Sequence, residues 1–182
     1  NTAVHGGAII NYGYANIQNG LFENNATTQY HGGAIYNAKF LNIEGSTFNN
    51  NNSVENGGAV FNEAKGVLLI SDSVFRGNTG LYGGALINYG IANIQSSDFE
   101  SNSSTGDNGG AIYNDFSGII KIDGSNFKNN FGNGNILNYG VVNIRNSSVF
   151  EGNSTNINGG TLYNTKRGVI NSSDSFFIYS MD

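Results

Sequence analysis

The sequence predicts an all-β fold, a parallel β-helix of about seven coils with 24–26 residues and three short strands in each, and three observations carry that expectation. First, the string Gly-Gly-Ala-aliphatic-X-Asn begins at Gly6, Gly32, Gly57, Gly83 and Gly109. It persists in altered form as Asn133-Gly134-Asn135-Ile136-Leu137-Asn138 and as Gly159-Gly160-Thr161-Leu162-Tyr163-Asn164. Second, Phe-X-X-Asn interleaves with it at Phe22–Asn25, Phe48–Asn51, Phe75–Asn78, Phe99–Asn102, Phe127–Asn130 and Phe150–Asn153, while a seventh copy, Phe177 to Ser180, lacks the Asn. Third, no stretch places apolar residues at i, i+3, i+4 and i+7; β-branched and aromatic residues come instead in short runs between Gly and Asn. Two motifs holding one phase along the whole chain make residues 1–182 a single repeat domain.

Each coil then divides into elements. The first strand is Ala34-Ile35-Tyr36-Asn37 and its equivalents, the second is the run ending at Ile17, Ile43, Ile70, Ile94, Ile122 and Ile144, and the third is Ser46-Thr47-Phe48 and its equivalents. Residues equivalent in sequence stack about 4.8 Å apart, giving a rod on the order of 34 Å long. An inward aliphatic column is expected at Ile9, Ile35, Val60, Leu86, Ile112, Ile136 and Leu162. A second column is the Ile series, broken by Ser172, and a third is Phe22, Phe48, Phe75, Phe99, Phe127, Phe150 and Phe177. A small column, Gly20, Ser46, Ser73, Ser97, Ser125, Ser147 and Ser175, lies between Ile and Phe. Ile and Phe sit five residues apart, so both face inward only if the chain bends at Asn19, Gly45, Asp72, Ser96, Gly124 or Asn146. The sixth coil has a spacing of six, which places a bulge at Val149.

Asn, with 33 copies, has a structural use in this scheme. Asn11, Asn37, Asn62, Asn88, Asn114, Asn138 and Asn164 form one column, and Asn25, Asn51, Asn78, Asn102, Asn130 and Asn153 form another. An amide both donates and accepts, so stacked Asn side chains bond along the column while holding their turns. Gly-Gly supplies a third corner, where positive φ is needed or a side chain would collide. Pro is absent because nearly every residue must donate to a neighbouring coil. Loops after the corner Asn are short in coils 1, 2, 4 and 6, as in Asn11-Tyr12-Gly13, Asn88-Tyr89-Gly90 and Asn138-Tyr139-Gly140. They are two residues longer in coils 3, 5 and 7, at Asn62–Gly66, Asn114–Gly118 and Asn164–Gly168. The alternation from coil 2 onward points to duplication of a two-coil unit.

These motifs resemble the repeat of the chlamydial polymorphic outer-membrane proteins, in which Gly-Gly-Ala-(Ile/Leu/Val) alternates with Phe-X-X-Asn. The sequence is also similar to adhesin-like surface proteins of some methanogenic archaea and bacteria. The resemblance covers the whole chain and implies a right-handed β-helix in a secreted or cell-surface protein that displays, adheres or assembles. Relatives of the outer-membrane type end in a membrane barrel, and no barrel-like segment is read here.

Composition narrows the function classes. A formal net charge of −5 argues against a nucleic-acid partner, and the absence of Cys removes disulfides, zinc fingers and thiol catalysis. No apolar run approaches the roughly 18 residues of a membrane span. No cofactor is expected. His5 and His31 share the column before Gly-Gly with Asn56, Tyr82, Asn108 and Asn158, and with no carboxylate column beside them they read as corner residues rather than metal ligands. Acids fall singly on the outside, as at Glu44 and Asp123, and Asp72 and Asp98 occupy non-equivalent places; the expectation is a non-enzyme, with a polysaccharide lyase or hydrolase as the catalytic competitor.

Alternation turns Ile10, Tyr36, Phe61, Ile87, Tyr113, Leu137 and Tyr163 outward as an interaction stripe, unless the phase is wrong and the stripe is core. Outward, it would serve lateral self-association, contact with a host surface, or sugar stacking on Tyr36, Tyr113 and Tyr163. Of six Asn-X-Ser/Thr sequons, those at Asn25, Asn51, Asn102 and Asn153 coincide with ladder residues, leaving Asn146 and Asn171 for glycosylation. Neither end reads as capped, so the coils are expected to continue, either within a longer chain or by end-to-end stacking of subunits into a fibre. The resulting expectation is an extracellular, cell-surface β-helix rod for display, adhesion or filament assembly, with cell-surface glycans or proteins, or its own copies, as partners.

Overall fold

The computed structural model describes residues 1–153 and 159–178. Every strand pair in it is parallel, and three seven-stranded sheets run along the rod. The first contains Ile9–Asn11, Ile35–Asn37, Val60–Asn62, Leu86–Asn88, Ile112–Asn114, Ile136–Asn138 and Leu162–Asn164. The second runs from Tyr14–Gln18 to Val169–Ser172, and the third from Leu21–Glu23 to Phe176–Ile178. Registers reproduce the sequence columns: Val60 pairs with Ile35 and Leu86, Ile70 with Ile43 and Ile94, and Phe75 with Phe48 and Phe99. Adjacent rings in the Phe column from Phe22 to Phe150 stack 4.6–4.8 Å apart and 3–8° from parallel, which is the strand spacing itself.

A fourth sheet was not foreseen. It joins Thr2–Ala3, Ala26–Thr27, Asn52–Ser53, Thr79–Tyr82 and Ser103–Asn108, between Phe-X-X-Asn and Gly-Gly. Its inward residues are polar, with Thr27, Ser53 and Ser104 all buried. They are satisfied by Thr27 Oγ1 donating to Ser53 Oγ (3.1 Å), Ser53 Oγ to the Tyr30 carbonyl (2.8 Å) and Ser104 Oγ to the Leu81 carbonyl (2.7 Å). A strand with a hydroxyl interior has no hydrophobic signature, so this five-stranded sheet, which ends at Ser103–Asn108, escaped the sequence reading.

The bend between Ile and Phe takes the left-handed conformation at every expected position: Asn19, Gly45, Asp72, Ser96, Gly124 and Asn146 have φ between 45° and 57°, and Asp174 (48°) does the same in coil 7. That left-handed turn lets both columns face the core. The bulge at Val149 is a correction. Val149 stays in register with Asn126 and Phe176. The extra residue is Ser147, which with Asn146 makes two successive positive-φ residues (59° and 56°). Ser148 therefore replaces Ser147 in the small column, buried and accepting from the Ser125 N–H at 3.3 Å.

Both Asn columns bond along the rod. From Asn11 to Asn164 each Nδ2 donates to the next Oδ1 at 2.7–2.9 Å. From Asn25 to Asn153 the same bond runs at 2.9–3.3 Å, each Oδ1 also accepting the backbone N–H of the preceding ladder Asn. Asn1 belongs to this second column, donating to Asn25 Oδ1 at 2.9 Å. At Gly-Gly the two residues have different reasons: Gly57 holds φ 64°, whereas a Cβ on Gly58 would run into the Gly84 carbonyl oxygen.

Candidate functional site

The stripe lies on the outer side of the first sheet. Val60, Leu86 and Ile136 belong to the hydrophobic core, while their neighbours Phe61, Ile87 and Leu137 lie outside that cluster. Outward does not mean bare, however. Ile10 is 45% exposed, but Phe61, Ile87 and Leu137 are buried, and Tyr36, Tyr113 and Tyr163 are half-buried.

Two flanking columns provide the cover. The residue before Gly-Gly supplies His5, His31 and Tyr82, and the residue after the corner Asn supplies Tyr12, Tyr89 and Tyr139. His31 stacks on Phe61 at 4.5 Å, and Phe61 on Tyr36 at 5.1 Å. Tyr12 lies 6.1 Å from Tyr36 and Tyr89 5.5 Å from Phe61. Tyr113 contacts Tyr82 edge-on and Tyr139, both at 5.5 Å, and Phe116 reaches Tyr139 at 4.8 Å. The outcome is an aromatic seam three columns wide rather than one stripe, in two groups of touching rings (His5 to Tyr89, and Tyr82 to Tyr139) on either side of Ile87. Its outer members were not singled out from the sequence: the repeated Asn-Tyr-Gly triplet carried the signal for Tyr12, Tyr89 and Tyr139, and nothing did for Phe116 in the longer loop Asn114–Gly118.

Burial, and in second place Glu63 by charge and hydrogen bond, pushes the Tyr36 hydroxyl up to about 12. Burial also raises Tyr113, assisted by Tyr139 and Asp115, and raises Tyr89, assisted by Asp115. The hydroxyls of Tyr36, Tyr89 and Tyr113 therefore remain neutral donors near pH 7. His31 is pulled below the usual histidine range by burial, with Glu55 opposing and His5 adding to the effect. Its Nδ1 lies 2.8 Å from Asn56 Nδ2 and 3.4 Å from Glu55 Oε2; the neutral ring accepts from Asn56, whereas the protonated ring donates to Glu55. His5 stacks on Tyr30 at 4.7 Å, and its buried Nδ1 has no partner among the described residues. Asn158 and Ser180 lie outside the described residues.

The acids considered for catalysis are dispersed. Asp72 is a turn residue, Asp98 accepts from Asn126 at 2.8 Å on the third sheet, and Asp123 pairs with Arg145 at 3.2 Å on the second. Among the described residues no group of three or more His, Asp or Glu is placed to hold a metal ion. No helix among them is long and apolar enough to cross a membrane. Of the two sequons outside the ladders, Asn146 Nδ2 donates to Asp123 (2.7 Å) and Asn171 Nδ2 to Asn143 (2.9 Å), both on the surface. Beside the seam, Phe116, Tyr139, Tyr163, Asn164, Thr165, Lys166 and Arg167 line a cleft of about 470 Å³.

Fold and seam together define a parallel β-solenoid repeat protein with one aromatic outer face. Residues 96–115 match the model of the Chlamydia polymorphic membrane protein (Chlamydia_PMP) repeat, bearing out the resemblance read from the motifs. That segment holds one full set of punctuation, Phe99, Asn102, Gly109-Gly110-Ala111 and Asn114. No curated protein and no solved structure matches the chain.

Proposed function

We propose that this chain is a non-catalytic display module of an adhesin-like surface protein, a rigid rod whose aromatic seam contacts other surfaces outside the cell. The observation that carries this reading is the seam itself: aromatic side chains outside the core, running over several coils and including Tyr12 at 73% and Phe116 at 56% exposure. Apolar surface organised along one side of a rod favours a partner that covers it. The polymorphic membrane protein repeat matched at residues 96–115 supports a cell-surface setting. The preference of parallel β crossovers for one hand supports a right-handed coil. The dispersed acids favour a binding role over polysaccharide cleavage.

Surface-coupled protein is expected to be retained on cell-surface preparations. Changing Tyr12, Tyr89 and Tyr139 together to Ser should lower retention at least tenfold, whereas changing Leu21 and Gln18 on the other sheets should not. Equal retention by both variants would remove the seam from the account. End-to-end assembly is the second reading. Both Asn columns bond by simple translation from coil to coil, so the same registers join coils of one polypeptide or of two copies. Negative-stain microscopy showing fibres supports it, and monodisperse short particles refute it.

A further inference from the structure

The alternation of loop lengths cuts a notch into the seam at coil 6. The short loop Asn138-Tyr139-Gly140 lies between the long loops Asn114–Gly118 of coil 5 and Asn164–Gly168 of coil 7. Tyr139 forms the floor, Phe116 one wall, and Tyr163 with Lys166 and Arg167 the other, around the cleft of about 470 Å³. The cleft is a shallow depression, open over most of its face, which suits one unit of a longer surface-bound chain rather than an enclosed small molecule.

Its lining offers two kinds of group, aromatic rings and cations. Phe116 and Tyr139 stand 4.8 Å apart at 56°, offering an apolar corner to a flat ring face. Thr165 also lines the cleft, but its Oγ1 is buried away from the opening and has no hydrogen-bond partner among the described residues, so it offers nothing to a ligand. Lys166 and Arg167 are exposed, and no carboxylate among the described residues forms an ion pair with either. Arg76, Lys128 and Arg145 are, by contrast, each paired with an acid along their columns. In a chain of net charge −5, two adjacent unpaired cations beside a wall of rings are a local reversal of sign. Arg167 lies over the Phe116 ring at 5.8 Å, held across the notch by a cation–π contact that leaves its edge N–H groups for an anion.

We propose that this notch binds a carboxylated sugar unit of an acidic oligosaccharide. The apolar face of the pyranose ring packs on Phe116 and Tyr139, a hydroxyl meets Tyr163, and its carboxylate pairs with Arg167 and Lys166. A neutral glycan would leave both cations unused, and an acidic peptide offers no rigid ring face for the aromatic corner. This inference names a ligand class for the adhesive reading above and rests on it.

The test is calorimetric titration of the protein with oligogalacturonate, with its methyl ester, and with oligoglutamate. Oligogalacturonate is expected to bind, with the ester and oligoglutamate at least tenfold weaker. Lys166→Gln with Arg167→Gln, and separately Tyr139→Ala, should each weaken binding at least tenfold while the circular dichroism spectrum is unchanged. Absence of oligogalacturonate binding, equal binding of the ester or of oligoglutamate, or indifference to either variant would overturn the proposal. Cell-surface retention that survives in the Lys166→Gln, Arg167→Gln protein would sink the sugar site while leaving the seam reading intact. Retention insensitive to Tyr12, Tyr89 and Tyr139 would sink the seam reading itself.

Discussion

Asn102→Ala removes the central link of the second Asn ladder, and its cost follows from four hydrogen bonds. Asn102 Nδ2 donates to Asn130 Oδ1 and to the Phe75 carbonyl, both at 2.9 Å. Its Oδ1 accepts from Asn78 Nδ2 at 2.9 Å and from the Asn78 backbone N–H at 3.0 Å. After truncation Asn78 Nδ2 still reaches the Phe48 carbonyl, and Asn130 Oδ1 still receives the Asn102 backbone N–H. The Asn78 N–H has no other acceptor and is left buried and unpaired. One orphaned group at about 1–3 kcal/mol and three lost bonds at about 0.5–1.5 kcal/mol each give a destabilisation of about 2.5–7.5 kcal/mol. For a chain of this length that is a fall in Tm on the order of 10–15 °C. Thermal and urea unfolding followed by circular dichroism measures it, with Asn42→Ala as the control. Asn42 also bonds to an Asn one coil away, Asn16 Oδ1 at 2.7 Å, but on the surface, so its loss should cost about 0.5 kcal/mol or less. Equal costs for the two variants, or an Asn102→Ala cost below about 1 kcal/mol, would refute the claim that buried Asn ladders hold the corners.

Other perturbations test separate parts of the account. Phe99→Ala empties a fully buried place between Phe75 (4.7 Å) and Phe127 (4.8 Å) and should cost about 3–5 kcal/mol in the same unfolding assay. Asn135 is fully buried in the column that holds Ala8, Ala34, Ala59, Ala85 and Ala111 in the first five coils, and neither amide atom has a partner among the described residues. Asn135→Ala should therefore stabilise by about 1–3 kcal/mol, and a loss of stability would contradict that placement. Ser148→Ala should cost about 1–3 kcal/mol by orphaning the Ser125 N–H, and Ser147→Ala less than about 0.5 kcal/mol; the reverse order would restore the Val149 bulge. Because the folded pKa of Tyr36 is raised to about 12, the native state keeps a proton that the unfolded chain loses near its ordinary value. Stability should thus decline as pH rises through roughly 10 to 12, and Tyr36→Phe should flatten that slope. For His31 the folded pKa is lowered, so acidification below the ordinary histidine range destabilises, and His31→Gln should reduce that acid sensitivity.

What the sequence discloses of this fold depends on whether a position repeats a physical constraint. The Ile, Phe and Asn columns were legible because each coil imposes the same demand at the same offset. The turn residues Asn19 to Asn146 were legible because five residues cannot join two inward positions without a bend. The fourth strand was hidden for the opposite reason: its buried residues Thr27, Ser53 and Ser104 are polar, bonding through hydroxyls to each other or to backbone carbonyls, and lengths from Ala26–Thr27 to Ser103–Asn108 keep no period. The extra residue of coil 6 was detected but misplaced by two positions, since spacing counts an insertion without locating it. The outward direction of Tyr36 and Phe61 followed from alternation, but their cover did not. His31, Tyr12 and Tyr89 belong to other columns, and reading one column at a time ignores contacts made sideways. The notch at Tyr139 arises from loop lengths in three successive coils, which only the stacked registers bring together.

The central claim is that the aromatic seam on the first sheet is the surface this rod uses to meet its partner. Hydroxyl-radical footprinting with and without a cell-surface preparation tests it most directly, because Tyr and Phe report their own exposure. The account predicts protection at Tyr12, Tyr82, Tyr89, Tyr139 and Phe116, with Leu21 and Tyr14 on the other sheets reacting as before. Protection centred on Leu21 and Tyr14, with the seam unchanged, would contradict it.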